Sequence, residues 1–145
     1  MTAAGQPGVR PDTGPDRSAA GPIVVGALVA AATVTLALRS PHLAGSYGVC
    51  PSVALFGVWC PACGGLRAVH DLAHADLAGA WAHNALLVLA VPLLVAAWVR
   101  WLGDRLGWWR SAPLPAWTAW AVLVVLVSYG ILRNVPGLEF LAPPQ

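Results

Sequence analysis

Three long apolar stretches of the sequence carry no charged residue, and they constrain the fold more than any other feature. They cover residues 22–38, 85–99 and 116–132. Apolar residues make up 58% of the chain and charged residues 10%, whereas soluble proteins average roughly 45–50% and 25%. Because a segment in lipid must satisfy its own backbone hydrogen bonds, each stretch is predicted to be helical. We therefore predict an all-α membrane protein with about three transmembrane helices.

The predicted spans divide the chain into one helical membrane domain, residues 22–136, between two tails. We place the spans at about 22–38, 80–102 and 116–132, and Pro92 is expected to kink the second. Residues 1–21 are rich in Pro, Gly, Ala, Asp and Arg, which predicts a disordered N-terminal tail, and residues 137–145 form a C-terminal tail. A secretory signal is the alternative for the first stretch, but no convincing small-residue cleavage site follows it.

The arginines predict an orientation in the bacterial cytoplasmic membrane. With three spans, Arg10, Arg17, Arg100, Arg105 and Arg110 fall on one side, and Arg39, Arg67 and Arg133 fall on the other. The positive-inside rule then makes the N-terminus cytoplasmic and the cysteine segment extracytoplasmic. Six tryptophans around the turn between the second and third spans fit an interfacial belt: Trp98, Trp101, Trp108, Trp109, Trp117 and Trp120.

The same composition limits the partners. The arginines are scattered and no lysine is present, so we expect no nucleic-acid partner. The lipid bilayer is the expected partner, and other membrane proteins are compatible with the sequence.

Residues 50–84 hold most of the polar chemistry, between the first two spans. They begin with Cys50-Pro51 and continue with Cys60-Pro61-Ala62-Cys63-Gly64-Gly65. After Gly65 a helical period places Leu66, Val69, Leu72, Ala73, Leu77 and Ala80 on one face, and Arg67, His70, Asp71 and His74 on the other. This predicts an amphipathic helix at the membrane surface or the bundle rim, with solvated histidines and an Arg67–Asp71 ion pair.

Asp76 does not fit that projection, because it falls on the apolar face. We therefore predict a break near Ala75, with Asp76 capping a new helix that continues into the second span. His83 and Asn84 would then lie at the entrance to the bilayer.

This segment resembles a family of small bacterial membrane proteins, the domain-of-unknown-function family numbered twenty-seven fifty-two. The residues that carry the resemblance are Cys50-Pro51, Cys60-Pro61-Ala62-Cys63-Gly64-Gly65-Leu66-Arg67-Ala68, Asp76, Ala80, Asn84 and Arg133-Asn134. The family signature reads approximately CPxCGxTRA, then Gly-Asp, then Asn-Pro. Leu66, Ala75 and Ala85 depart from it, where the family has threonine, glycine and proline. The resemblance implies a membrane location over about residues 50–136 and brings no established activity.

Two chemical interpretations of the cysteines stay open. The spacing of Cys60 and Cys63 suits thiol–disulfide exchange, although a static disulfide within this pair, or from Cys50 to one of its members, fits as well. Alternatively, Cys50, Cys60, Cys63 and either His70 or His74 would supply four ligands to zinc.

A third interpretation is structural, and we favour it from the sequence. The motif residues would shape a re-entrant or interfacial turn: Cys50, Pro51, Cys60, Pro61, Cys63, Gly64, Arg67, Asp76, Asn84 and Arg133. Polar groups at membrane depth normally find partners, because leaving them unpaired is costly. We thus expect a non-enzymatic accessory or binding component without a cofactor, and a membrane thiol–disulfide oxidoreductase or a structural zinc site are the alternatives.

Overall fold

The computed structural model describes residues 18–42 and 50–142, and these residues form helices and no strand. Five α-helices follow one another: α1 (Ala20–Leu38), α2 (Pro51–Phe56), α3 (Gly65–Ala73), α4 (Leu77–Leu106) and α5 (Trp117–Leu132). A short 3-10 turn, Glu139–Leu141, comes after α5. The all-α prediction is confirmed. Most of the N-terminal tail and the last residues of the C-terminal tail lie outside the described residues.

Helices α1 and α4 pack against each other in opposite directions. The indole Nε1 of Trp98, late in α4, donates to the carbonyl of Pro22 at the start of α1, at 2.9 Å. At the other end of α1, Leu36 O lies 2.7 Å from Nδ1 of His70 in α3. Helix α3 packs on both α1 and α4. The bundle therefore has a tryptophan end and a cysteine end.

Two helices are long and apolar enough to cross a membrane, one fewer than the sequence predicts. They are α1, with 19 residues, and α4, with 30, whereas α5 is apolar but has only 16 residues. Within their most apolar windows, 11% of α1 and none of α4 is buried. The core helix of a soluble protein is mostly buried, so this exposure is compatible with a membrane protein.

The break before α4 lies where the sequence predicts it. Ala75 has a φ of 59°, and the Asp76 carboxylate caps α4 by accepting a hydrogen bond from Gly79 N at 2.9 Å. Helix α4 also has an interruption that the sequence does not predict, at Asn84, and Pro92 lies within the helix. Asn84 has an extended backbone, and its Oδ1 accepts from Leu87 N at 3.0 Å, so it acts as an N-cap for the second part of the helix.

The predicted faces of α3 need a correction. Asp71, on the polar face, is buried with 6% of its surface exposed, whereas Leu66, on the apolar face, is 47% exposed. Both Asp71 oxygens bond histidines from other elements: His42 Nε2 and His83 Nδ1, each at 2.8 Å. The polar face therefore packs inward in part, because it meets polar partners that are distant in sequence.

Candidate functional site

The three cysteines converge at the cysteine end of the bundle. Cys50 precedes α2 and its Sγ lies 3.6 Å from that of Cys60 and 3.2 Å from that of Cys63. The Cys60 and Cys63 sulfurs are 3.1 Å apart. All three are free thiols, with Cys63 buried and the others half-buried. These residues are called the three-thiol cluster below.

Proline and glycine shape the backbone that carries the three-thiol cluster. Pro51 opens α2, a first-turn position where its missing N–H costs nothing, and Gly57 ends that helix with a φ of 64°. Gly64 lies immediately before α3 with a φ of 79°, a conformation that a side chain would strain. The Cys60 N–H donates to Cys63 Sγ at 3.3 Å, which closes the turn over the sulfurs.

Hydrogen bonds make the cysteines unequal. The pKa of Cys50 is lowered from 9.0 to about 6, chiefly because Ser52 Oγ, 3.1 Å away, bonds to its sulfur, with help from Cys63. Burial raises the pKa of Cys63 to about 12, and its bonds to Cys60 and Cys50 act in the same direction. At neutral pH Cys50 is therefore mainly a thiolate, and Cys63 remains a thiol that donates to it.

Two buried polar side chains hold the turn that contains Cys60 and Cys63. Arg133, at the end of α5, donates from Nη1 to Cys60 O at 3.0 Å and to Cys63 O at 2.9 Å. Asn84 Nδ2 donates to Pro61 O at 2.9 Å and to Cys63 O at 3.2 Å. Both donors are 2% exposed. The turn is thus fixed by residues from α4 and α5, far away in sequence.

The guanidinium of Arg133 brings a positive charge into this site. It also donates to the carbonyls of Pro61, His83 and Leu141, and it lies over the face of Tyr129, 5.1 Å from the ring centre. Among the described residues no carboxylate pairs with it. Buried charges normally have a counter-charge, whereas this guanidinium is held by backbone carbonyls and the face of a ring.

An apolar groove of about 550 Å³ opens beside Cys60. It runs between the cysteine turn and α5, and Pro61, Leu126, Gly130 and Ile131 contribute to its walls. At one end Asn134 pairs with the backbone of Trp59: Oδ1 accepts from its N–H and Nδ2 donates to its carbonyl, both at 2.8 Å. Cys60 therefore lines a groove that is apolar and open.

The other predicted site residues lie apart from the sulfurs or act on the backbone. Asp76 caps α4, and Arg67 lies in the first turn of α3. His70 is grouped with His42 and Asp71, not with the thiols. His74 bonds the backbone of His70 through Nδ1, at 2.8 Å. The proposed zinc set of three cysteines and one of these histidines is therefore not brought together.

Sequence reasoning did not find the role of Ser52 beside Cys50. A serine two residues after a cysteine at a helix start is a weak signal, which only the helical turn makes meaningful. The departure at Ala85, by contrast, has a local explanation. Residue 85 is the first helical position after the Asn84 cap, where proline is favoured but alanine is equally compatible with the helix.

Comparison with known proteins gives one finding, and it concerns this site. No curated protein and no solved structure matches the chain. Residues 50–98 match the family described as "Protein of unknown function (DUF2752)". The match covers the three-thiol cluster, α3 and most of α4, and it confirms the resemblance that the cysteine signature indicates. Over residues 50–98 the chain is therefore similar to the DUF2752 family, for which no biochemical role is given.

Proposed function

We propose that the protein is a non-enzymatic, metal-binding component of the bacterial cytoplasmic membrane. In this proposal α1, α4 and α5 all span the bilayer, the N-terminus is cytoplasmic, and the cysteine end faces the extracytoplasmic side. The three-thiol cluster binds one thiophilic ion, such as zinc. The observation that carries the proposal is the convergence of three sulfurs within 3.6 Å of one another.

The number of sulfurs favours a metal ion over a structural disulfide. A disulfide uses two sulfurs and leaves the third without a role, whereas three thiolates and one open position form a familiar zinc environment. With zinc–sulfur bonds of about 2.3 Å, tetrahedral geometry separates the sulfurs by about 3.8 Å. The observed separations of 3.1–3.6 Å need to widen by only a few tenths of an ångström.

The charges also suit a cation with thiolate ligands. Three thiolates and one divalent ion carry one net negative charge, which the buried Arg133 guanidinium balances. Cys50 is mainly deprotonated at neutral pH, but Cys63 must lose its proton when the ion binds. Metal binding therefore releases protons, and its affinity is expected to fall as the pH is lowered.

The test is metal binding by the full chain in detergent under reducing conditions. We expect one thiolate-bound zinc or cobalt ion per chain, and the cobalt form should show sulfur-to-cobalt charge-transfer bands. Cys60→Ser and Cys63→Ser should each lose these bands, whereas His74→Gln should keep them. Absence of charge transfer in folded wild-type protein would overturn the proposal.

Thiol–disulfide exchange is the second candidate, favoured by the 3.1 Å Cys60–Cys63 distance and the low pKa of Cys50. In this reaction the two thiols lose two protons and two electrons and form a disulfide. A disulfide of a partner protein takes them up and becomes two thiols. The exchange proceeds through a mixed disulfide between the two proteins.

Labelling with a membrane-impermeant maleimide in intact cells separates the two candidates. Labelling of Cys60 and Cys63 only after reduction indicates an extracytoplasmic disulfide and favours exchange. Labelling that requires a chelator but no reductant favours the metal site.

A further inference from the structure

Three histidines gather around one buried carboxylate, and the fourth, His74, packs against one of them. Asp71 Oδ1 bonds His42 Nε2 and Asp71 Oδ2 bonds His83 Nδ1, each at 2.8 Å. The His42 ring centre lies 5.3 Å from that of His70, which lies 4.3 Å from that of His74. His42 follows α1, His70 lies in α3 and His83 lies in α4. These three histidines and Asp71 are called the histidine cluster.

Three members of the histidine cluster present ligand atoms to one point. One nitrogen of His42, one nitrogen of His70 and one Asp71 oxygen all lie within 4.8 Å of one another. A transition-metal ion holds nitrogen and oxygen ligands at about 2.0–2.2 Å. Ligand atoms this close can surround one ion after small side-chain movements.

The hydrogen bonds of His70 leave it in the form that binds metals. Its Nδ1 lies 2.7 Å from the carbonyl of Leu36, and a carbonyl only accepts, so Nδ1 carries the proton. Neutral imidazole then has a lone pair on Nε2. A carbonyl that fixes the other ring nitrogen in this way is the usual outer partner of a histidine ligand.

His83 orients the carboxylate in the same manner. Its Nδ1 lies 2.8 Å from both Asp71 Oδ2 and Gly79 O, so this nitrogen also carries a proton and donates. Asp71 Oδ2 is thereby held in place while Oδ1 faces His42. The His42 side chain is 37% exposed, which gives an ion a route of entry and room for a water ligand.

We propose that His42, His70 and Asp71 bind one divalent transition-metal ion of the zinc type, with His83 as a positioning residue. Two imidazoles and one carboxylate select such an ion over magnesium or calcium, which prefer oxygen ligands. On binding, His42 moves its proton from Nε2 to the exposed Nδ1, so neutral histidine loses no net proton. This site is separate from the three-thiol cluster and does not depend on it.

The experiment uses the full chain with Cys50→Ser, Cys60→Ser and Cys63→Ser, purified in detergent without a histidine tag. Titration with cobalt alone should give one ion per chain with visible d–d bands and no sulfur-to-cobalt charge transfer. His42→Gln removes a ligand and should weaken cobalt binding at least about tenfold. His83→Gln should also weaken it at least about tenfold, since loss of an outer partner typically costs 10–100-fold in metal affinity. His74→Gln, a matched change at the residue that follows α3, should alter cobalt binding less than about twofold.

The outcomes distinguish a metal site from a purely structural network. Asp71→Asn removes a buried charge, so the folding of this variant is checked by circular dichroism. His42 is partly exposed, and His42→Gln is therefore expected to fold. If the folded triple variant binds no cobalt, or binds it equally well after His42→Gln, the proposal is wrong. The triple variant has no thiol ligands. A finding that the thiols of the wild-type protein bind no metal would therefore leave this result unchanged.

Discussion

At the scale of single residues, the protonation of Cys50 gives a direct prediction. The thiolate is the reactive form, so alkylation of Cys50 should rise through a midpoint near its pKa of about 6. Alkylation of Cys63 should stay slow at pH 8, because its pKa is about 12. The measurement is iodoacetamide labelling of the metal-free, reduced protein from pH 5 to 9, followed by mass spectrometry of the labelled peptides.

Ser52 tests the cause of this reactivity. Ser52→Ala removes the largest influence that lowers the pKa of Cys50, so the labelling midpoint should move upward by roughly one to two pH units. Ser111→Ala, a matched change at the tryptophan end, should leave the midpoint in place. If the labelling midpoint of Cys50 lies near 9 in both the wild-type protein and Ser52→Ala, the hydrogen bond from Ser52 does not lower the pKa of Cys50.

At the scale of helices, the contact between α1 and α4 depends on a glycine. An alanine Cβ at Gly26 would lie 2.7 Å from Cζ2 of Trp98, closer than atoms can pack. The indole cannot swing away without losing its 2.9 Å bond to Pro22 O. We expect Gly26→Ala to destabilise the protein by about 1–3 kcal/mol, measured by thermal unfolding in detergent.

Gly65→Ala is the control for that substitution. Gly65 also lies in a helix, and nothing is within 4 Å of a Cβ built there, so no loss of stability is expected. Trp98→Phe should relieve the contact in the Gly26→Ala background. Equal destabilisation by the two alanine substitutions would show that helix packing is not the reason.

The helices also show what the sequence predicts well and what it does not. The Asp76 cap follows from a local conflict between one aspartate and the apolar period, so it is predictable. The interruption at Asn84 is not predictable from local sequence. It depends on hydrogen bonds from the Asn84 amide to the carbonyls of Pro61 and Cys63, which lie in another segment. The local signals in the sequence, such as a proline at position 92, contain no information on such partners.

At the scale of the whole molecule, both clusters depend on distant parts of the chain. The sequence motif includes the cysteines and Arg133. It does not show that this arginine donates hydrogen bonds to the cysteine turn. The histidine cluster is harder to predict, since it joins residues 42, 70 and 83 around a carboxylate that the period of α3 assigns to a solvated face. Hydrogen bonds between buried polar groups decide which face of α3 packs inward. Such bonds can override the hydrophobic period of a helix.

The number of spans is the remaining prediction, and it depends on α5. Its 16 residues rise about 24 Å, less than a bilayer core of about 30 Å. Its ends nevertheless lie at opposite ends of the bundle. Arg133 and Asn134 join the cysteine turn, whereas the turn before α5 contacts α4 near its end, where Arg100 donates to Ala112 O. If α4 spans the membrane, we expect α5 to cross it as well, with local thinning of the bilayer.

Single cysteines in the triple-serine background test this arrangement. Ala142→Cys should react with an impermeant maleimide in intact spheroplasts, whereas Ser111→Cys should react only after permeabilisation, because the arginine-rich turn is expected to be cytoplasmic. The reverse pattern would keep three spans and invert the orientation. Labelling of both positions from the same side would mean that α5 does not cross, and the cysteine and tryptophan ends would then share one face of the membrane.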